Sequence, residues 1–510
     1  MAQSNNKTIA KNTVFLYFRM LITMLISLYT SRVILQTLGV DDYGIYQSVG
    51  GIVGMLSFIN GALSTGSSRF ITYGLGEGDH PKLKRIFSTT FTIHILLAIL
   101  IVIIAETAGL WFLYNKLVIP PERLVAAVYV YHLSIVTAFF TIAVVPYSAC
   151  IIAHEKMSIY AYVSIVEALL KLLIVYLLII GNWDKLILYA SLLCAVHVGI
   201  MLFYMLYCAR NFSEVSSKLL IDKPIFKEVA GFSGWSLFAN AAIALNNQGI
   251  LLLLNMFFAP AVVSARAISI QVNMAANQFV NSFRTAANPQ IVKLYASRDY
   301  DGSKRLLLSS TKYSYYMMYA LSLPICLLAY PLLRLWLGIV PDYTTIFLQL
   351  IVIQSLFQVF DNSFYTALYA KGQLRENALI SPIFLFVSFP IIYFLFKAGC
   401  SPVSLSWASM ATYALLGFFV KPILIIRIVE YTWKDIFSVL MPCLYVTIVS
   451  LPIPLILYSN LNVNENVWHD LLLLLMTLFS IGCSVWFVGL DNEMRYKLKS
   501  IIKEKIYQKP

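Results

Sequence analysis

Six side chains within residues 261–289 are spaced to share one face of a helix. They are Arg266, Asn273, Asn277, Asn281, Arg284 and Asn288, at steps of 7, 4, 4, 3 and 4 residues. At roughly 100° per residue they fall within about 80° of one another. Arginine is the bidentate ligand of phosphate, and stacked amides suit glycan hydroxyls. Inside a bilayer such a ribbon is costly unless it faces water or an anionic ligand. The spacing therefore points to a pathway for something negatively charged and rich in hydrogen-bonding groups.

The remainder of the chain is apolar. Of 510 residues 60% are hydrophobic and only 12% charged, and the mean hydropathy is +0.78. Runs such as residues 86–105 and 186–206 imply an all-α polytopic membrane protein. About fourteen spans are expected, at residues 14–35, 45–66, 86–108, 124–148, 159–180, 186–208, 231–258, 262–290, 306–337, 343–370, 376–397, 402–428, 436–458 and 468–490. The N-terminus leads directly into the first span, so that helix is expected to stay uncleaved. Seven cysteines and six histidines are scattered without paired spacing, which supports neither disulfides nor a metal site.

The net charge of +13 does not signal nucleic acid, because the basic residues sit mainly in short loops. Counted on alternating sides, one side holds 26 Lys and Arg (Lys421, Arg427 and Lys434 among them) and the other holds 4. Both termini are then cytoplasmic. If the polar eighth span did not cross, the later basic loops would face outward, so it is expected to cross. No loop is long enough for a soluble catalytic domain.

An internal echo divides the chain. YGLGEGDHPKLKRIFST at residues 73–89 aligns with YASRDYDGSKRLLLSST at 295–311, at an offset of 222. Each segment joins a second span to a third, counting from helix 1 and from helix 7. Convergent loop composition competes with duplication here, and co-location favours duplication. The expected division is an N-terminal six-helix lobe at 1–210, a cytoplasmic linker at 211–230, a second six-helix lobe at 231–430, and two extra helices with a basic tail at 431–510.

Seven basic residues remain inside spans: Arg19, Arg32, Lys171, Arg266, Arg284, Lys312 and Arg334. Arg32, Lys312 and Arg334 lie near span ends, where snorkelling accounts for them. Glu167 and Lys171 have ion-pair spacing, and a structural and a functional pair are equally open. Arg19 and Arg284 are each accompanied by a polar face. Asn240 and Asn247 on helix 7, with Ser233, Ser236 and Asn255, extend the polar lining. On helix 10, Gln354, Gln358, Asp361 and Tyr365 form another stripe. Asp361 either carries a coupling proton or sodium ion or neutralises a nearby Arg. Gly50, Gly54, Ser57, Gly61 and Ser64 on helix 2 read as close helix packing.

The text KNTVFLYFRMLITMLISLYTSRVILQTLGVDDYGIYQSVGGIVGML (residues 11–56) resembles the Wzx-like polysaccharide flippases of the multidrug/oligosaccharidyl-lipid/polysaccharide (MOP) exporter superfamily. Leu38-Gly39 and Asp42-Tyr43-Gly44-Ile45-Tyr46 carry the likeness most directly. Pro289-Gln290-Ile291 with Lys293-Leu294-Tyr295 is similar to the family's second-half loop. The resemblance implies two MATE-like lobes around a cavity of alternating access. It further implies a bacterial inner-membrane protein, without enzymatic activity or cofactor, that moves an undecaprenyl-pyrophosphate-linked oligosaccharide to the outer leaflet for surface polysaccharide synthesis. It is expected to work as a monomer beside a polysaccharide polymerase and glycosyltransferases. Arg19, Arg266 and Arg284 are the positions available for the pyrophosphate; Asn240, Asn247, Asn273, Asn277 and Asn281 are available for sugars. Two alternatives compete: a cation-coupled drug or metabolite antiporter, which a cationic cavity disfavours, and a membrane glycosyltransferase or polymerase, which short outward loops disfavour.

Overall fold

A computed structural model describes residues 21–55, 67, 70–71, 74–75, 78–154, 156–178, 180, 183–215, 218–229, 248–371, 373, 375–461, 466–491 and 495–496. Every regular element among them is helical. In chain order they are α1 (Leu21–Leu38), α2 (Val40–Met55), α3 (His80–Lys116), α4 (Pro121–Ala153), α5 (Met157–Leu177), α6 (Lys185–Asn211), α7 (Ile250–Phe257) and α8 (Pro260–Ala296). They continue as α9 (Tyr300–Leu327), α10 (Ala329–Leu337), α11 (Thr344–Lys371), α12 (Arg375–Lys397), α13 (Ser404–Val429), α14 (Trp433–Asn460) and α15 (Val467–Gly489). The protein is an all-helical polytopic membrane protein. Among the described residues nine helices are long and apolar enough to cross a membrane, or ten if α9 and α10 form one broken span. The shorter α2, the ion-paired α5 and the polar α8 stand at expected spans but outside that count.

The expected single helix at 306–337 is bent by 80° between α9 and α10. Leu328 leaves helical geometry there (φ −103°, ψ 24°). Pro331 has no N–H for the carbonyl of Leu327, and Pro324 lies one turn before the break, so the ladder is weakened on both sides.

The helices group into two units, Met1–Ala267 with Trp336–Asp342 and Leu385–Pro402, and Ile268–Leu335 with Tyr343–Phe384 and Val403–Pro510. In the first, α2, α3, α4 and α6 enclose a core around Ile45, Val49, Ala127, Val130 and Tyr131. Arg123 fastens one end of that bundle. Its guanidinium donates to both Asp42 carboxylate oxygens (2.8 and 2.6 Å) and to both of Asp184 (2.6 and 3.3 Å). Burial alone would lift the Asp184 carboxyl, but Arg123 and the amides of Ile187 and Leu186 together hold it below its ordinary value. Asp42, more deeply buried, is lifted by desolvation despite the same arginine.

In the second unit, tyrosines on α9 bind the last two helices. Tyr315 and Tyr319 hydroxyls pair with Thr447 and Ser450 of α14 at 2.9 and 2.8 Å, and Tyr316 donates to the Gly489 carbonyl of α15 at 3.1 Å. Lys312, expected to snorkel, is instead 8% exposed and bonded to Asp491 at 2.9 Å. Outward faces are apolar at helical spacing, as with Leu96, Ile99, Leu100 and Ile103 of α3 and Val166, Leu169 and Leu173 of α5. Trp111, Trp183 and Trp468 are exposed at or just outside helix ends, as an interfacial belt requires.

The sequence echo also has a structural form. Asp79 caps α3 by accepting from the Lys82 amide (2.9 Å), and Asp299 caps α9 by accepting from the Gly302 amide (2.8 Å). The two caps align two residues away from the register of the sequence match. Each satisfies an amide that has no partner within its own helix.

Close helix contact supplies a test within the first unit. A Cβ on Gly44 of α2 would lie 2.0 Å from the Pro260 carbonyl oxygen and 2.8 Å from Ser264 Oγ. One on Gly50, two turns along, meets nothing within 4 Å. Gly44→Ala should cost about 1–3 kcal/mol in detergent unfolding, while Gly50→Ala should be neutral or stabilising by up to about 1 kcal/mol. Equal effects at the two positions would contradict this packing.

Candidate functional site

The ribbon helix α8 is continuous over 37 residues, about 55 Å at 1.5 Å per residue, against a bilayer core of about 30 Å. Its sequence lacks internal breakers until Pro289, and its small residues let neighbours approach closely. Arg266 is in the first unit and only 4% exposed. Asn273, Asn277, Asn281, Arg284 and Asn288 are in the second.

In the second unit the upper part of the ribbon is knitted to α11. Asn273 Oδ1 accepts from Ser355 Oγ at 2.7 Å and from Asn277 Nδ2 at 3.2 Å, and Asn277 Nδ2 also donates to Ser355 Oγ at 3.2 Å. Further along, Asn288 Oδ1 accepts from Thr366 Oγ1 at 3.3 Å. These amides act as interhelical glue. The central pair differs. Arg284 donates to Asn281 Oδ1 at 2.6 Å, and its buried Nε has no hydrogen-bond partner among the described residues.

Asp361 acts electrostatically on Arg284, yet its direct partner is another cation. Lys421 Nζ of α13 stands 3.3 Å from Asp361 Oδ1, donates to Asn377 Oδ1, and lies 5.5 Å from the Tyr365 ring centroid. The charge pattern assigned Lys421 to a loop; the structure buries it at 3% exposure. Removing one residue from 26 leaves the basic asymmetry intact. The signal was present, since Lys421 lies seven residues inside the expected span end. Arg284, Asp361 and Lys421 carry two positive charges and one negative.

Three expected site residues, Arg19, Asn240 and Asn247, lie outside the described residues, as do Ser233 and Ser236. Asn255 is fully buried and accepts from the Val118 amide at 3.0 Å, so it fastens the loop between α3 and α4. Glu167 and Lys171 bond to each other at 2.6 Å.

The first unit holds a cavity of about 230 Å³ lined by Tyr46, Gly50, Gly54, Ser134, Thr137 and His197, among others. Gly50 and Gly54, expected to be close packing, thus also make room, while Ser57, Gly61 and Ser64 of the same stripe lie outside the described residues. Ser134, Thr137 and Thr141 donate to carbonyls four residues back on α4, which leaves their oxygens as acceptors toward the cavity. This wall presents hydroxyls and one imidazole, whereas Arg284, Asp361 and Lys421 place charge inside the second unit.

The Lys421–Asp361 pair can be tested by a double-mutant cycle on detergent unfolding. Lys421→Met should cost about 3–5 kcal/mol, because it leaves a carboxylate half-buried without its nearest cation. Adding Asp361→Asn should recover most of that loss. Purely additive costs would show that the two side chains are not coupled.

No family model matches the chain. It is 24% identical over 335 residues to EpsK of Bacillus subtilis (strain 168), described as an uncharacterized membrane protein; the match spans 64% of this chain and 64% of that relative's length. Among solved structures it is similar to the lipid II flippase MurJ in an inward closed conformation (TM-score 0.69, 11% identity, 93% of this chain and 98% of that one). An inward-facing multidrug resistance MATE family transporter of the MOP superfamily matches with TM-score 0.68 and 14% identity, over 82% of this chain and 99% of that one. A MOP superfamily transporter from Pyrococcus furiosus, described by a binding pocket of reverse polarity, matches with TM-score 0.60 and 14% identity over 84% and 97%. The chain therefore shares the helical fold of these MATE and MurJ structures.

Proposed function

We propose that the protein is a flippase that moves an undecaprenyl-pyrophosphate-linked oligosaccharide from the cytoplasmic to the outer leaflet of a bacterial inner membrane. The observation that carries this reading is the excess of positive charge inside the second unit, where buried Lys421 and half-buried Arg284 face the single negative charge of Asp361 beside an amide-rich helix. An anion entering there meets a guanidinium whose Nε lacks a hydrogen-bond partner among the described residues. The likeness to a lipid II flippase over 93% of the chain agrees with a lipid-linked substrate.

In this mechanism the pyrophosphate reaches Arg284 and Arg19 from the cytoplasmic side while the polyprenyl tail stays in lipid. Asn281 and the helix 7 amides Asn240 and Asn247 solvate the sugars. Asn273 and Asn277 must exchange their bonds to Ser355 for sugar hydroxyls or remain structural. Arg266 lies toward the exit. No bond is made or broken; the step is a change of access around a site. Both termini are cytoplasmic, the unit is a monomer, and polysaccharide polymerase and glycosyltransferases act before and after it.

A cation-coupled drug or metabolite antiporter is the second reading, favoured by the near-equal likeness to the multidrug transporter. A cation-coupling role for Asp361 requires a proton or sodium ion to displace Lys421 from the carboxylate.

In proteoliposomes, the parent protein should translocate lipid-linked oligosaccharides and not cationic dyes. Arg284→Ala and Arg19→Ala should each lower the rate at least tenfold, since one charge-assisted contact contributes about 1.5–3 kcal/mol. Full activity in both variants, or preferential dye transport, would overturn the proposal. Asp361→Asn should remove any dependence on a proton or sodium gradient. Gradient-free transport by the parent would eliminate the coupling role alone.

A further inference from the structure

Residues scattered in the sequence converge at one end of the first unit. Cys150 and His154 are four apart, on one face at the end of α4, and Glu214 follows α6. Glu214 Oε1 is 3.3 Å from Cys150 Sγ and 2.5 Å from His154 Nε2, and the three donor atoms all lie within 4.8 Å of one another. Among the described residues this is the one group of three such side chains placed to share an ion.

We propose that Cys150, His154 and Glu214 form a binding site for a divalent ion of borderline softness, of the zinc class. A thiolate, an imidazole and a carboxylate are the three ligand types zinc takes, at about 2.0–2.3 Å from the metal. A tetrahedral arrangement then separates the donor atoms by roughly 3.3–3.8 Å. The cysteine–glutamate separation already meets this, and the histidine–glutamate pair must open by about 1 Å. On binding, the ion takes the place of the thiol proton and of any proton between His154 and Glu214, and these pass to solvent.

The surroundings are built rather than incidental. Cys150 is fully buried and Glu214 is 4% exposed, so neither is a surface group held by chance. The His154 ring stacks on Phe212 at 4.0 Å with planes 10° apart, which fixes its orientation. The His154 side chain is a quarter exposed and gives the ion its entry. An ion here would tie the end of α4 to the chain that follows α6. The scattered cysteines and histidines gave no sign of this group in the sequence, because its carboxylate comes from sixty residues away.

The test uses the full chain in detergent, purified without a polyhistidine tag and stripped with chelator. Zinc should bind at one equivalent per chain. Cobalt(II) should give a thiolate charge-transfer band in the near ultraviolet and tetrahedral absorption in the visible. Cys150→Ser should abolish the charge-transfer band, and Glu214→Gln and His154→Gln should each weaken zinc at least tenfold. Cys326→Ser, in the other unit, should change nothing. Binding below a tenth of an equivalent, or a charge-transfer band that survives Cys150→Ser, would overturn the site. If Cys150→Ser fails to fold, the partly exposed His154→Gln decides, and unchanged zinc affinity there overturns it.

Discussion

In a medium of low polarity, Lys421, Arg284 and Asp361 place two positive charges against one negative among the described residues of the second unit. That imbalance governs the second unit. Asp361 is committed to Lys421 at 3.3 Å, with Asn377 taking a further ammonium proton. Among the described residues, Arg284 has the longer-range field of Asp361 and one amide oxygen, that of Asn281. Neither satisfies a five-donor guanidinium.

The polar ribbon consequently divides into parts with different physics. Asn273, Asn277 and Asn288 have their amides engaged by Ser355 and Thr366 of α11, and this alone justifies their place in an apolar helix. Their stabilisation is modest, about 0.6–2 kcal/mol per contact, which makes the bonds exchangeable. Arg284 differs, since its Nε has no hydrogen-bond partner among the described residues. Periodicity identified one face; only the partners on α11 and α13 separate glue from recognition.

Much of the architecture was legible because the bilayer imposes a length on every span. Helices such as α3, α6 and α15 fall where their apolar runs place them. The bend after α9 was not, because proline inside a long apolar run is compatible with either a kink or a break. Lys421 was misread because a lysine near a span end looks like a loop residue until its carboxylate is found on another helix. The same limit hid Arg123 with Asp42 and Asp184, and Cys150 with His154 and Glu214. In each case the ligands are 60 or more residues apart for at least one contact. Spacing rules reach only along one helix.

The two units also differ in the chemistry of their interiors, and the difference has a steric origin. In the first, Gly50 and Gly54 give α2 no side chains, so the space they leave is walled by hydroxyls of α4 and by His197. Hydroxyls already donating to their own helix offer acceptor oxygens and no charge. In the second, the corresponding position in the echoed half is α8, which carries arginine and amides instead. Such divergence is cheap in a helical fold, since side chains on a cavity wall pack against nothing that fixes their identity.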